Sequence, residues 1–208
     1  MEFKCLVSEF DSNCYLIYNE NDVYIIDPSC EIGYIKKYLK EEDKVKGILI
    51  THSHIDHIYY LEKTQKYFAC KVYMHKKGLE FLNDSYKNCS KLFGLDKTFI
   101  IDNIIFINDN DLIDGFIKVI YTPGHTIDSI CFAIEDNLFT GDTLFNNSVG
   151  RTDFYSGNLK TLSDSVKKIY SKEINYNIYP GHGESSNLDN QLLSNYYVRK
   201  MMGAKNPF

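Results

Sequence analysis

The sequence has no long apolar run, no excess of positive charge and no low-complexity linker, and each absence excludes a class of protein. Charged residues, Asn or Gly interrupt every apolar stretch well before the roughly 20 residues that a membrane-spanning helix requires. The first ten residues, MEFKCLVSEF, include acidic and basic side chains and lack the apolar segment of an export signal. We therefore expect a cytoplasmic protein that does not interact with a membrane.

The charge balance is mildly acidic, with a formal net charge of -5. Nucleic-acid binding proteins usually need a basic surface, because phosphate attraction supplies most of their sequence-independent affinity. We therefore expect no nucleic-acid partner and favour a small molecule as the substrate. The sequence does not indicate the oligomeric state.

The six cysteines are scattered along the chain and form no Cys-x-x-Cys pair. A disulfide framework or a thiolate metal site usually shows closer, patterned spacing. We interpret these residues as small buried thiols in a reducing compartment, not as metal ligands. They are Cys5, Cys14, Cys30, Cys70, Cys89 and Cys131.

The hydrophobic pattern predicts one domain over residues 1–208, in which groups of strands alternate with single helices. Residues 14–18 and 23–26 predict a β-hairpin, and residues 45–50 predict a short buried strand. Helices are predicted from about residue 56 to 67, 159 to 170 and 188 to 197. The alternation in each half predicts an α/β (α+β) fold with four αββα layers.

Three of the six histidines stand in one short segment, Thr51-His52-Ser53-His54-Ile55-Asp56-His57. Residues two apart in an extended chain point the same way, so His52 and His54 can face one metal ion. Asp56 and His57 follow where the chain turns into a helix, and they can face a neighbouring ion. Neutral imidazole is the commonest protein metal ligand. The segment therefore predicts a metal site just beyond a strand.

Three more candidate ligands also follow predicted strands. His125 and His182 each stand in a Pro-Gly-His triplet, where glycine lets the backbone pass tightly while the imidazole projects into a site. Asp142 follows the apolar run at residues 138–139, and a carboxylate has two oxygens with which it can bridge two cations. His75 stands alone and is interpreted as a hydrogen-bonded or solvated residue.

These motifs together resemble the metallo-β-lactamase fold, specifically its glyoxalase II-like (hydroxyacylglutathione hydrolase-like) branch. The matching stretches are THSHIDHI (51–58), TPGHT (122–126), TGDTLF (140–145), SVGRTDF (148–154) and YPGHG (179–183). The resemblance implies the αββα sandwich and a site for two divalent metal ions, zinc in the first place, with iron or a mixed iron–zinc pair as alternatives.

The resemblance also implies how the ligands divide. One ion is expected on His52, His54 and His125, the other on Asp56, His57 and His182, with Asp142 bridging. Asp56 and Asp142 are thereby also the expected catalytic carboxylates. Asp27, in Ile-Ile-Asp-Pro, resembles the family's residue that supports a metal-bound histidine from behind.

Two features depart from classical glyoxalase II. Only about two dozen residues follow His182, so the helical domain that contacts glutathione is not expected. Arg151 and Asp153 stand where the family places a Lys and a Tyr that touch glutathione. The resemblance therefore implies the metal chemistry and leaves the thiol carrier open. Asp142 disfavours antibiotic hydrolysis, because many zinc β-lactamases place a Cys ligand near this position. His54 disfavours oxygen reduction, because flavo-diiron oxidases place Glu there.

The expected reaction is hydrolysis of a thioester or similar activated acyl substrate by a metal-bridging hydroxide. Arg151 is the candidate for gripping a substrate carboxylate or phosphate, and an ion pair with Asp153 is the equal alternative. Two other functions stay open. GRTDF also resembles mono-iron persulfide dioxygenases, and His-x-His-x-Asp-His also occurs in nucleases and phosphodiesterases.

Overall fold

The computed structural model describes residues 2–172 and 174–204 and divides into two compact units, one through Ile107 and one from Asn108 onward. Each unit contains a six-stranded sheet and helices. The predicted α/β class is therefore confirmed. The single domain over residues 1–208 stays a prediction, and residues 1, 173 and 205–208 lie outside the described part.

The first unit is a mixed sheet with strand order β1-β2-β3-β4-β5-β6, in which β1 to β3 pair antiparallel and β3 to β6 pair parallel. Its strands are β1 (Glu2–Val7), β2 (Asn13–Asn19), β3 (Asp22–Ile26), β4 (Lys44–Leu49), β5 (Lys71–Met74) and β6 (Ile104–Phe106). Its helices are α1 (Ile32–Ile35), α2 (Ile55–Ile58), α3 (Leu61–Phe68) and α4 (Leu79–Leu82), with 3-10 turns at Lys36–Tyr38, Lys76–Gly78 and Ser90–Phe93.

The central strands of this sheet are buried on both faces. Ile25, Ile26, Ile48 and Leu49 in β3 and β4 are at most 1% exposed. Apolar side chains on both faces are typical of parallel strands covered on both sides. The carboxyl-terminal parts of β3 and β4 are therefore closed to solvent, and the histidine segment begins just beyond the end of β4. The predicted hairpin is confirmed by the pairing of β2 with β3.

The predicted helix over residues 56–67 was wrong as one element, because it is interrupted between α2 and α3. The Tyr60 N–H donates to the carbonyl of Pro28 at 3.1 Å. The carbonyl of Asp56, its partner in a continuous helix, accepts instead from the Ser12 hydroxyl at 2.6 Å. These two outside partners replace one helical hydrogen bond and turn the chain after His57.

The second unit has strand order β14-β13-β10-β9-β8-β7, mostly antiparallel with one parallel pair, β10 and β13. Its strands are β7 (Leu112–Ile113), β8 (Ile117–Tyr121), β9 (Ile130–Ile134), β10 (Asn137–Gly141), β13 (Asn177–Pro180) and β14 (Ser186–Asn187), and β11 (Leu144–Phe145) pairs with β12 (Ser148–Val149). Its helices are α5 (Leu159–Tyr170), α6 (Leu188–Ser194) and α7 (Tyr196–Met201).

Helix α5 has the predicted bounds, because the Asn158 side chain accepts from the Thr161 N–H and caps its first turn. The last predicted helix, residues 188–197, is instead two helices. Asn195 adopts an extended conformation and its side chain accepts from the N–H groups of Tyr197 and Val198, so it starts α7. None of the helices in the described residues has the length and apolar content needed to cross a bilayer.

Five of the six cysteines are buried, as the composition suggested. Cys5 is the exception, because it lies on β1 and its side chain is exposed. His75 makes the local hydrogen bond expected of a structural histidine: its Nδ1 accepts from the Lys77 N–H at 3.3 Å. Burial lowers the pKa of His75.

Candidate metal centre

The histidine segment of the first unit follows β4 and is buried. His52, His54 and His57 are 1%, 4% and 0% exposed. The ring of His52 lies 4.9 Å from the ring of His54 and 4.2 Å from that of His57, measured between centroids. The structure therefore brings together the three histidines that the sequence predicted as ligands in this unit.

Asp27 holds this segment from behind. It is buried and follows β3 with a left-handed backbone conformation. Its two oxygens accept from the Thr51 N–H at 2.8 Å and the Thr51 hydroxyl at 2.6 Å. Its Oδ2 also lies 2.9 Å from Nδ1 of His57. Hydrogen bonds to an ionised carboxylate are stronger than neutral ones, so this carboxylate fixes the start of the segment.

These hydrogen bonds decide which nitrogen of His57 and His52 carries the proton. An ionised carboxylate only accepts, so His57 carries its proton on Nδ1 and presents the lone pair of Nε2. Thr51 donates its hydroxyl proton to Asp27, so its oxygen accepts from Nδ1 of His52 at 3.2 Å. Both imidazoles are therefore in the tautomer whose Nε2 can bind a cation.

The donor atoms of this unit are crowded. Ligand atoms of Asp27, His52 and His57 lie within 4.8 Å of one another, and Nε2 of His57 is 3.8 Å from Oδ2 of Asp56. Because Asp27 is engaged with Thr51 and the Nδ1 side of His57, it suits an orienting role. Asp56, on the Nε2 side, suits a ligand role.

The candidate ligands of the second unit lie at one edge of its sheet. Strands β8, β10 and β13 run in the same direction, because β9 pairs antiparallel with both β8 and β10, and β13 pairs parallel with β10. His125, Asp142 and His182 each follow one of these strands at its carboxyl end. The shared direction explains why residues distant in sequence gather here.

Oδ2 of Asp142 is the centre of this second group. It lies 3.5 Å from Nε2 of His125 and 3.8 Å from Nε2 of His182. Nδ1 of His125 lies 2.8 Å from the carbonyl oxygen of Arg151, which only accepts, so Nε2 of His125 presents its lone pair. The carboxylate and both imidazoles therefore converge.

The separations of 3.5–3.8 Å fit a shared cation better than direct hydrogen bonds. Two ligands about 2.1 Å from a tetrahedral zinc ion are about 3.4 Å apart, whereas a good hydrogen bond to nitrogen is about 2.9 Å. Imidazole and carboxylate are also the donors that zinc and iron accept. In each unit, the donor set and its spacing thus fit a metal ion.

Two glycines shape the second group. Gly124 has φ +139°, and a Cβ there would overlap the backbone of Leu162 in α5. At Gly150 a Cβ would overlap the carbonyl oxygen of Asp142 and touch the side chain of His125 at 3.1 Å. Close approach at these positions therefore requires glycine. The role expected for the glycine before His125 agrees with this geometry.

Arg151 makes the ion pair that the sequence left as one of two alternatives. Its Nε and one terminal nitrogen donate to the two oxygens of Asp153 at 2.7 and 2.6 Å. Both side chains are more than half exposed. The hydrogen bonds from Arg151 lower the pKa of Asp153 to about 2. A contact between Arg151 and substrate stays a prediction.

Three positioning contacts were not predicted from the sequence. They are the Thr51 hydroxyl between Asp27 and His52, the Ser12 hydroxyl on the Asp56 carbonyl, and the Arg151 carbonyl on His125. The first has a sequence signal, since Thr51 directly precedes the histidine segment. The other two involve backbone carbonyls and depend on tertiary structure.

The family model of the metallo-beta-lactamase superfamily matches residues 7–182. The hydroxyacylglutathione hydrolase GloC of Haemophilus influenzae is 31% identical over 202 residues, which are 92% of this chain and 95% of that protein. The hydroxyacylglutathione hydrolase of Francisella philomiragia is 36% identical over 182 residues, 84% of this chain and 64% of that protein.

The solved structures include a similar fold. The crystal structure of the BLEG-1 B3 metallo-beta-lactamase gives a TM-score of 0.87 at 29% identity and covers 95% of this chain and 99% of that one. The predicted fold and the glyoxalase II-like resemblance are therefore confirmed. The matches do not test the individual site residues.

Proposed function

Because this chain belongs to the metallo-β-lactamase superfamily, we propose that it is a hydrolase that uses two divalent metal ions to cleave a thioester or a similar activated acyl bond. The observation that carries the proposal is the tautomeric control of the donors. Asp27, Thr51 and the Arg151 carbonyl direct Nε2 of His57, His52 and His125 toward a ligand. Nε2 of His57 and Nε2 of His125 lie 3.8 and 3.5 Å from a carboxylate oxygen, a separation typical of two ligands of one metal ion.

We propose that the donors of the two units serve one dinuclear centre. His52, His54 and His125 would hold one ion, and Asp56, His57 and His182 the other. Asp142 would be shared, because its carboxylate already lies between two imidazoles in its own unit. Zinc is the first choice, with iron or a mixed pair as alternatives.

Bound ions of this kind supply a water that ionises near neutral pH and polarise a carbonyl group. The side chains of the protein would hold the water molecule and the metal-binding imidazoles in position. The carboxylates of Asp56 and Asp142 would orient the attacking water, and the Asp27 network would keep the imidazoles from rotating. A thiolate is a good leaving group, so a thioester needs little acid assistance.

The acyl class is supported by the relatives. Two proteins named hydroxyacylglutathione hydrolase are 31% and 36% identical to this chain. Glutathione itself is not part of the proposal, because Arg151 is engaged with Asp153. A small-molecule substrate and a cytoplasmic location stay predictions from composition.

The test combines metal quantification with a substrate panel. Protein purified with and without oxygen is analysed for metal and assayed on thioesters, lactones and a persulfide, with oxygen uptake recorded. The expected result is about two ions per chain and thioester cleavage without oxygen uptake. Asp142→Ala should lose one ion and nearly all turnover, whereas the exposed control Asp164→Ala should keep both. One iron per chain with oxygen uptake would instead support the persulfide dioxygenase.

β-Lactam hydrolysis is a second candidate, and it rests on the likeness to the BLEG-1 B3 metallo-beta-lactamase. This likeness, at 29% identity, is an argument against the sequence analysis, which disfavoured the hydrolysis of antibiotics. A cephalosporin in the same panel decides between the two. Thioester cleavage with kcat/KM at least a hundredfold above that for the cephalosporin supports the acyl hydrolase, and the reverse order refutes it.

A further inference from the structure

Helices α5 and α7 of the second unit form the walls of a groove. Their inner sides contribute to one apolar core, which includes Val166 of α5 and Val198 of α7. The same two helices line a cavity of about 680 Å³. Sites for small molecules usually measure about 300–1,000 Å³. The groove therefore has the size of a ligand site, and none of the candidate metal ligands is among the described residues that line it.

Both walls of the groove are held in place by hydrogen bonds. The side chain of Asn158 caps α5 and that of Asn195 caps α7. The Ser165 hydroxyl of α5 donates to the carbonyl of Pro123 at 2.6 Å, and the Asn195 amide donates to the carbonyl of Ser148 at 3.0 Å. A preformed site spares a ligand the entropic cost of ordering its walls.

The groove exposes aliphatic and aromatic side chains. Leu159, Tyr196 and Tyr197 are 59%, 48% and 47% exposed, and Met201, which is partly buried, lines the same groove. The two tyrosine rings meet edge to face, with 5.6 Å between their centroids. Apolar side chains scattered singly over a surface need no explanation, whereas a group that shares one concave surface is typical of a binding site.

Three lysines give the groove a positive charge. Lys160 and Lys167 are seven residues apart and so lie on the same side of α5, and the amino group of Lys200 is 5.9 Å from the centroid of the Tyr196 ring. Asp164 is the carboxylate among the described lining residues. In the described part of the chain none of the three amino groups forms an ion pair.

Another lysine of the same helix shows the contrast. Lys168 points away from the groove lining and pairs with Asp109 at 2.6 Å. The groove thus combines an apolar wall with positive charges that no described side chain neutralises. An apolar body with a negatively charged head group is complementary to both features.

We propose that the groove between α5 and α7 binds an anionic amphiphile, of which a fatty acid is the simplest member. The aliphatic and aromatic side chains would contact the hydrocarbon chain, and the three lysines would contact the carboxylate. At about 30 Å³ for each water-sized group, the cavity has room for a head group and a chain of about a dozen carbons. This inference does not rest on the proposed function.

The test is a titration followed by NMR of metal-loaded protein that carries ¹³C in its methionine methyl groups. Dodecanoate is the probe and is kept below its critical micelle concentration. The Met201 signal, identified with Met201→Leu, should shift and give a Kd below about 1 mM. The signal of Met74, which is 1% exposed on β5 of the first unit, should not move.

Two further probes separate the contributions of chain and charge. Acetate has the head group without the chain, and dodecyltrimethylammonium has the same chain with the opposite charge. Each should bind at least about tenfold more weakly than dodecanoate, because each lacks one of the two complementary features. Added salt should weaken dodecanoate binding, since the lysines are exposed.

Variants of the lining residues test the assignment. Lys160→Gln, Lys167→Gln and Lys200→Gln, combined in one protein, should raise the Kd for dodecanoate about tenfold, because exposed ion pairs contribute modestly one by one. The control Lys118→Gln, at an exposed position of β8, should bind like wild type. Tyr197→Ala should raise the Kd about fivefold, whereas Tyr197→Phe keeps the ring and should bind like wild type.

Four results would overturn the proposal. They are a Met201 signal that dodecanoate does not shift, an unchanged Kd in the triple lysine variant, equal binding of the cationic amphiphile, and binding to phosphatidylglycerol vesicles without binding of monomeric dodecanoate. The first needs no variant to fold, and the last would make this face a membrane contact. None of these measurements uses turnover, so a failure here is distinct from a failure of the proposed hydrolase.

Discussion

Asp27→Asn tests the tautomeric control of the histidines, because it changes one atom and keeps the shape of the side chain. With its oxygen toward the Thr51 N–H, the new amide would place its NH₂ group against Nδ1 of His57, where the carboxylate oxygen now lies at 2.9 Å. Two donors then face each other. If the amide rotates by half a turn, its NH₂ group faces the Thr51 N–H instead, and two donors again face each other.

The conflict is relieved when His57 moves its proton to Nε2, which removes the lone pair directed at the metal. Loss of such a supporting contact reduces metal affinity about tenfold to a hundredfold, or about 1.4–2.7 kcal/mol. Zinc affinity is measured by competition with a chromophoric chelator, and the tautomer by NMR of ¹⁵N-labelled histidine.

Asp22→Asn is the matched control, because Asp22 begins β3, the strand that Asp27 follows, and its carboxylate lies 3.7 Å from the amino group of the exposed Lys46. It should change neither affinity nor tautomer. If Asp27→Asn binds zinc like wild type and His57 keeps its proton on Nδ1, the reasoning from hydrogen bonds to metal affinity is refuted.

Three further predictions concern the positioning residues. Thr51→Val keeps the side-chain shape but removes the hydroxyl, and it should weaken zinc binding about tenfold, whereas Thr51→Ser should bind zinc like wild type. If Thr51→Val and wild type have equal zinc affinities in the chelator competition, the Thr51 hydroxyl does not position His52. Gly124→Ala should lower the free energy of unfolding in urea by more than about 3 kcal/mol, because Gly124 has a positive φ and the new Cβ would overlap the backbone of Leu162 in α5. The control Gly33→Ala has open space around the new Cβ and should change the stability little. Similar urea midpoints for the two variants would contradict this prediction. Arg151→Ala should return the pKa of Asp153 from about 2 toward 3.8 in an NMR titration. The stabilisation from that pair is present above about pH 4 and lost as the pH falls through about 2, and because the pair is exposed and screened by solvent, the urea midpoint at pH 7 should stay close to that of wild type.

The clustering of three histidines could be predicted from the sequence because it is local. His52, His54 and His57 stand in one segment after an apolar strand, so spacing alone indicated a common site. The same holds for α5, whose cap Asn158 and buried Leu162, Val166 and Ile169 recur at helical intervals.

Contacts between distant segments could not be read from the sequence. The break before α3 arises because Pro28 and Ser12 take hydrogen bonds that a continuous helix would make. The break at Asn195 depends on a side chain that caps a new helix instead of ending the old one. Both patterns read as single helices, because apolar periodicity continues across them.

The central claim is that these side chains hold two metal ions. Anomalous diffraction from crystals of the zinc-loaded protein, collected on both sides of the zinc edge, tests it most directly. The account predicts two peaks per chain, one bound by His52, His54 and His125 and the other by Asp56, His57 and His182, with Asp142 contacting both. A single peak, or peaks away from these residues in catalytically active protein, would contradict it.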